Sequence, residues 1–160
     1  ARARAARPDI AVSSDFIVGF PGESDADFEA TMDLIREIGF AQAYSFKYSP
    51  RPGTPAAAAR KQIPDDVMSA RLLRLQALLS EQAHAFARRC VGQEFDVLFE
   101  RPGRFDGQLI GRSPYLQAVH VATREHKIGD IARVHVLQTM SLSLGAELVS
   151  DVARATEAVA

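Results

Sequence analysis

The hydrophobic rhythm of this chain changes once, near Glu94, and that change dictates a two-part fold. Upstream, Met68, Leu72, Leu75, Leu79 and Phe86 recur at helical spacing, and Leu73 and Leu78 widen the stripe. Ile63-Pro64-Asp65-Asp66 opens this helix, which runs to about Arg89, because proline and acids suit a first helical turn. Downstream, Phe95, Val97 and Phe99 alternate with polar residues, the period of a strand with one buried face. Residues 107–112, 118–123, 131–139 and 142–149 are further strand candidates. The breaks between strands fall at Arg101-Pro102-Gly103-Arg104, Gly129-Asp130 and Ser141 to Ser143. Five short strands in so little chain predict a compact antiparallel β-barrel of OB-like type.

Ahead of the long helix, residues 9–18 carry the β-branched and aromatic content of a buried strand, broken by Gly19-Phe20-Pro21-Gly22. Ser24 is a helix N-cap with Asp27 as a short-armed capping-box partner. Phe28, Met32, Ile35 and Ile38 form one apolar stripe, and Gly39 stops the helix. Residues 44–48 alternate as a second strand, closed by Ser49-Pro50-Arg51-Pro52-Gly53. Strand, helix, strand with short turns is a right-handed βαβ unit with parallel strands. Two parallel strands need helices on their faces and neighbours on their edges, so this unit reads as the end of a larger α/β barrel. The predicted organisation is therefore barrel end with connecting helix over residues 1–90, small β-barrel over 91–150, and a tail over 151–160.

The turn at 19–23 lies at the carboxyl end of a parallel strand, where such folds bind ligands. It is not a phosphate loop, since no Gly-Lys-Ser/Thr follows, and Glu23, Asp25 and Asp27 would repel phosphate. A cofactor with hydroxyls or an ammonium group suits it, and so does the plain reading of a strand-to-helix turn.

Charge is uneven although the formal net charge is −1. Residues 1–40 hold 4 basic and 8 acidic side chains, residues 41–90 hold 8 and 3, and residues 91–150 hold 6 and 7. The basic middle third, with Arg71, Arg74, Arg88 and Arg89 on the helix, either faces phosphate or is a solvated helix face. In the barrel, Arg101, Arg104, Arg112, Tyr115, His120 and Lys127 are the candidate contacts to single-stranded nucleic acid, because arginine binds phosphate or stacks and tyrosine stacks. A structural or protein-binding barrel is equally open on composition. His84 lacks a ligand partner at i+4 and reads as a boundary histidine. His120, His126 and His135 lack zinc-finger spacing, and the lone Cys90 reads as an inert helix-end thiol, so no metal site is expected. A lone cysteine also suits a reducing cytoplasm. No apolar run of about 18 residues exists to make a transmembrane helix, and residues 1–7 lack the apolar core of a signal peptide. A start without methionine or cap suggests a piece of a longer chain.

Two long motifs are specific. Arg7-Pro8-Asp9-Ile10-Ala11, followed by Ser14-Asp15-Phe16-Ile17-Val18-Gly19-Phe20-Pro21-Gly22-Glu23, resembles the late barrel strand of methylthiotransferases of the radical S-adenosylmethionine superfamily. The stretch Ala43-Tyr44-Ser45-Phe46-Lys47-Tyr48-Ser49-Pro50-Arg51-Pro52-Gly53-Thr54-Pro55-Ala56 resembles the next strand and loop of the MiaB branch. Gly111-Arg112-Ser113-Pro114-Tyr115-Leu116-Gln117 is similar to the MiaB version of the C-terminal TRAM domain. The resemblance spans residues 7–149.

It implies a tRNA-2-methylthio-N6-dimethylallyladenosine synthase, which adds a methylthio group to C2 of an isopentenylated adenosine beside the anticodon. It implies S-adenosylmethionine and two [4Fe–4S] clusters as cofactors, a partial TIM-like radical SAM barrel, and tRNA, through its anticodon stem-loop, as the partner of the TRAM domain. Gly19, Pro21, Gly22 and Glu23 then fall near the S-adenosylmethionine pocket. The family's Cys-x-x-x-Cys-x-x-Cys triad and its three further cysteines are not in these 160 residues. The expectation is a C-terminal portion that does not catalyse alone, carries no catalytic residue of its own, and depends on an N-terminal part of the same polypeptide. A RimO-like enzyme acting on a ribosomal protein, or a non-catalytic tRNA-binding module, are the alternatives; the matches at 47–54 and 111–117 argue against the first.

Overall fold

The computed structural model describes residues 2–141 and 143–149. The expected tail at 151–160, and Leu142 and Ser150 at the ends of the last expected strand and barrel, lie outside the described residues. The chain divides into two compact units after Ala83, within the long helix and short of the boundary at 90 expected from sequence.

The first unit opens with a short helix α1 (Arg2–Ala6), which the sequence pattern did not suggest. Strand β1 (Ser13–Val18), helix α2 (Asp25–Ile38) and strand β2 (Gln42–Lys47) follow, and β1 pairs with β2 in parallel. The βαβ reading holds. The first strand is shorter than expected, however: Ser13 pairs with Gln42, the first residue of β2, the Val12 carbonyl accepts from the Ala41 N–H at 2.9 Å, and residues 9–11 have no partner strand among the described residues.

Helix α2 is capped as its sequence dictates. The Ser24 hydroxyl accepts from the Asp27 N–H at 3.2 Å, and the Asp27 carboxylate accepts from the Ser24 N–H at 2.9 Å. The Ser24 hydroxyl also donates to the Asp27 carboxylate at 2.6 Å, and that bond first, then the one from the Ser24 N–H, holds the Asp27 carboxyl below its ordinary pKa. At the other end Gly39 takes a left-handed conformation, φ 64°. Gln82 completes this end: its amide donates to the Ile35 carbonyl and accepts from the Phe40 N–H.

Gln82 belongs to helix α3 (Asp65–Cys90), whose Leu75 and Leu79 join Val18, Phe28, Met32, Ile35 and Phe40 in one core. Leu73, expected to widen the apolar stripe, is 71% exposed, because it lies one residue off the buried row. One face of the two-stranded sheet packs on this core through Val18 and Phe16. The opposite face exposes Ile17, Tyr44 and Phe46.

Three of the eight basic residues of 41–90 are answered by acids of the first unit, while Arg51, Arg60, Lys61, Arg88 and Arg89 have no ionic partner among the described residues. Lys47 pairs with Asp65 at 2.7 Å and Arg74 with Glu29 at 2.7 Å. Arg71 pairs with both Glu23 and Asp25 at 2.6 Å. Of the two readings left open by composition, neither describes Arg71, which is buried.

In the second unit, the last turns of α3 precede a closed barrel. Its strands are β3 (Glu94–Pro102), β4 (Gln108–Arg112), β5 (Ala118–Ala122), β6 (Ile131–Thr139) and β7 (Ser143–Leu148), in the order β3-β4-β5-β7-β6. Alternating inward residues, among them Val97, Phe99, Val119, Val121, Val134 and Val136, fill the interior. The expectation of an antiparallel barrel needs one correction: β5 and β7 pair in parallel. A closed ring of five strands cannot alternate direction throughout, so one neighbouring pair has to run the same way.

Candidate nucleic-acid interface

One end of the barrel is where β3 and β5 finish and β4 and β6 begin. The β3–β4 loop at this end is tightly closed. Gly103 N–H donates to the Gln108 carbonyl at 2.7 Å, and Gln108 N–H donates to the Phe105 carbonyl at 3.1 Å. The β5–β6 loop is braced against it: Thr123 N–H donates to the Gly107 carbonyl at 2.7 Å, and Arg124 pairs with Asp106. That second loop is pinned in turn to β3, where Gly129 N–H donates to the Phe99 carbonyl and Phe99 N–H to the Asp130 carbonyl. Asp130 also accepts from the Lys127 N–H. Both loops are thus held by backbone bonds, which leaves their long side chains free to face solvent.

Three of the six expected contact residues sit here. Arg101 at the end of β3, Arg104 in the first loop and Lys127 in the second are exposed, and none has an ionic partner among the described residues. Glu125 and Asp130 are acids at this end that have no ionic partner among the described residues either, although the Asp130 carboxylate is occupied by the Lys127 N–H. Two residues that sequence reasoning passed over complete the cluster. Arg124 is 79% exposed beside Asp106. Phe105 is 67% exposed, with the Arg104 guanidinium 6.0 Å from its ring centroid. Phe105 was legible as an apolar residue between Arg104 and Asp106-Gly107, inside a turn where it can join neither strand's alternation.

The other three are placed elsewhere. Arg112 closes β4, pairs with Glu100 at 3.1 Å and donates to the Leu116 carbonyl at 2.9 Å. Tyr115, expected as a stacking residue, is half-buried. Its ring meets those of Phe86 and Phe95 edge-on at 5.3 and 6.1 Å, so it anchors the turn at 113–117. His120 is half-buried on β5, opposite Ile110 and Gly145. Cys90 is buried, and burial pushes its thiol pKa up against the opposing effect of Arg89. His84, half-buried, lies 3.1 Å from the Ser141 carbonyl.

In the first unit, Gly19 and Gly22 hold φ of 74° and 88°, as a tight turn at a strand's carboxyl end requires. Glu23 folds back over this turn. Its Oε2 accepts from the Gly19 N–H at 2.8 Å and from Arg71 at 2.6 Å, and its side chain is 12% exposed. Gly22 N–H donates to the Lys61 carbonyl at 2.8 Å. Burial acts to lower the Arg71 pKa, but hydrogen bonds to Asp25 and Glu23 outweigh it and raise it. The turn therefore offers a ligand shape and backbone, while its carboxylate is engaged within the protein. Among the described residues no three His, Cys, Asp or Glu side chains stand together as metal ligands, so an iron–sulfur cluster does not fit this part of the chain.

The TRAM-domain family model matches residues 88–149, the barrel and the helical turn before it. The chain carries a TRAM domain there, and a TRAM domain points to RNA binding with a tRNA-associated role. Among solved structures, the solution structure of a conserved protein of Methanococcus maripaludis is 27% identical to this chain. That match covers 38% of this chain and 80% of the other, with a TM-score of 0.33.

Proposed function

We propose that this chain is the C-terminal portion of a MiaB-like tRNA methylthiotransferase, in which the TRAM barrel holds the anticodon stem-loop of tRNA. The observation that carries the RNA part is the cluster of Arg101, Arg104 and Lys127 on one barrel end, without ionic partners among the described residues and on braced loops. Cations without protein partners are the ones that can release counterions from a phosphate backbone. The enzyme part rests on the motif resemblance, and the first unit is compatible with it. Among the described residues its two parallel strands have no further strand on either edge and one face bears Ile17, Tyr44 and Phe46, which further strands and helices of the same polypeptide would cover. S-adenosylmethionine would lie at the carboxyl end of those strands, with both [4Fe–4S] clusters held by the preceding part of the polypeptide, and the protein would work in the cytoplasm.

Two measurements test this. Anticodon stem-loop binding by the full chain, followed by anisotropy across a salt series, should weaken on replacing Arg101, Arg104 or Lys127 with alanine. The log–log salt slope should lose about 0.7 to 0.9 per residue removed. Unchanged affinity and slope would remove the interface. The coding sequence upstream of Ala1 should contain an in-frame Cys-x-x-x-Cys-x-x-Cys; a start codon close to Ala1 would leave a tRNA-binding module and refute the enzyme reading.

A further inference from the structure

We propose that Phe105 is a stacking platform for an unpaired RNA base, so that this end of the barrel selects single-stranded over duplex RNA. The proposal deepens the RNA-binding reading above and rests on it. Phe105 stands at a loop apex with 67% of its surface exposed, and the Arg104 guanidinium lies over its ring. An exposed phenylalanine by itself is unremarkable. This one is held on a loop braced at Gly103, Gln108, Gly107 and Asp106, so presenting its ring to a ligand costs little additional ordering. Arg101 and Lys127 lie at the same barrel end, without ionic partners among the described residues, to meet the phosphates of a stacked nucleotide.

The geometry favours an unpaired base for a simple reason. In a duplex the faces of the bases are covered by their neighbours, and a protein ring can reach a face only where the base is unstacked. Arg104 beside the ring adds a planar cation that can lie against the same base or its phosphate. Tyr115 cannot serve in this way, since its ring is enclosed between Phe86 and Phe95.

The sequence contains no tryptophan, so Phe105→Trp places a single fluorescent reporter at the proposed contact. The full chain is titrated with a short single-stranded oligoribonucleotide and with a blunt RNA duplex of matched length. The single strand should quench the tryptophan and the duplex should not. Phe105→Ala should weaken single-strand binding by about tenfold, leave duplex binding and the salt slope unchanged, and be rescued by Phe105→Tyr. Circular dichroism of the alanine variant checks that the fold persists. If wild-type and Phe105→Ala chains bind the single strand equally, this inference fails while the RNA-binding reading stands. A change in self-association without a change in RNA affinity would make the ring a protein contact and overturn the inference as well. If the wild-type chain binds neither RNA, both readings fall together.

Discussion

Replacing Arg71 with methionine tests whether the turn after β1 is held by its buried ion pair. The two carboxylates on Arg71 are not equivalent. Asp25 is 96% exposed and rehydrates when the arginine goes, so its share is small. Glu23 is 12% exposed and would keep only the bond from Gly19 N–H. Removing one partner of a buried pair typically costs about 3–5 kcal/mol. Methionine preserves much of the aliphatic contact beside the Phe28 ring, which lies 5.6 Å from the guanidinium carbon. Glu23 can also tilt toward water. The expected loss is therefore at the low end, about 3 kcal/mol.

Hydrogen exchange resolves this locally. At about 1.4 kcal/mol per factor of ten, peptides covering β1 and α2 should lose about 100-fold in protection, with the barrel strands unaffected. Adding Glu23→Gln should recover most of it, because glutamine still accepts from Gly19 N–H and leaves no buried charge. A loss under about threefold in Arg71→Met would refute the reasoning. So would a double variant as unstable as the single one, since the cost would then lie in packing and not in an orphaned carboxylate.

Two further outcomes follow from the same kind of geometry. A Cβ added at Gly111 would lie 2.3 Å from Val97 Cγ1 and 2.5 Å from the Leu98 carbonyl oxygen, which belongs to the neighbouring strand and cannot rotate away. Gly111→Ala should cost the barrel about 3 kcal/mol in urea unfolding, and wild-type stability would show that β3 gives way. Ser24→Ala should cost about 1 kcal/mol and raise the Asp27 pKa toward its ordinary value, read by NMR titration. Because the folded Asp27 pKa is lowered, its contribution to capping is present above about pH 4 and fades as pH falls through the lowered value. An Asp27 midpoint that does not move in the variant would rule out the Ser24 hydroxyl as its main cause.

Local signals were legible in the sequence wherever one residue type has one main use. Ser24 and Asp27 as caps, Gly39 as a helix stop, and the inward alternation of Phe95, Val97 and Phe99 all appear where the pattern puts them. Features that depend on partners distant in the chain were not legible. The start of β1 is set by Gln42, not by its own propensity. The parallel β5–β7 pair follows from ring closure, which no window of residues records. Tyr115 is a fair stacking residue by type, yet Phe86 and Phe95 had already enclosed it. Half of the expected contacts were separated from the rest for the same reason: strand order decides which barrel end a loop occupies.

Charge shows the difference between counting and pairing. By count, residues 91–150 are slightly acidic and 41–90 are basic, which directs attention to the helix as the surface for phosphate. Pairing narrows that to Arg51, Arg60, Lys61, Arg88 and Arg89, which are exposed and have no ionic partner among the described residues. On α3, Arg71 and Arg74 are committed to Glu23, Asp25 and Glu29. In the barrel, Arg112 and Arg133 lie against Glu100, Glu94 and Asp96 along the strands. What is left without an ionic partner at the loop end, among the described residues, is Arg101, Arg104 and Lys127 against Glu125 and Asp130. A phosphate chain responds to that local excess, because screening over about 8–10 Å hides the rest of the molecule. A domain with almost no net charge can therefore bind RNA through one end of its barrel, and its affinity should depend on the unpaired cations and not on the total.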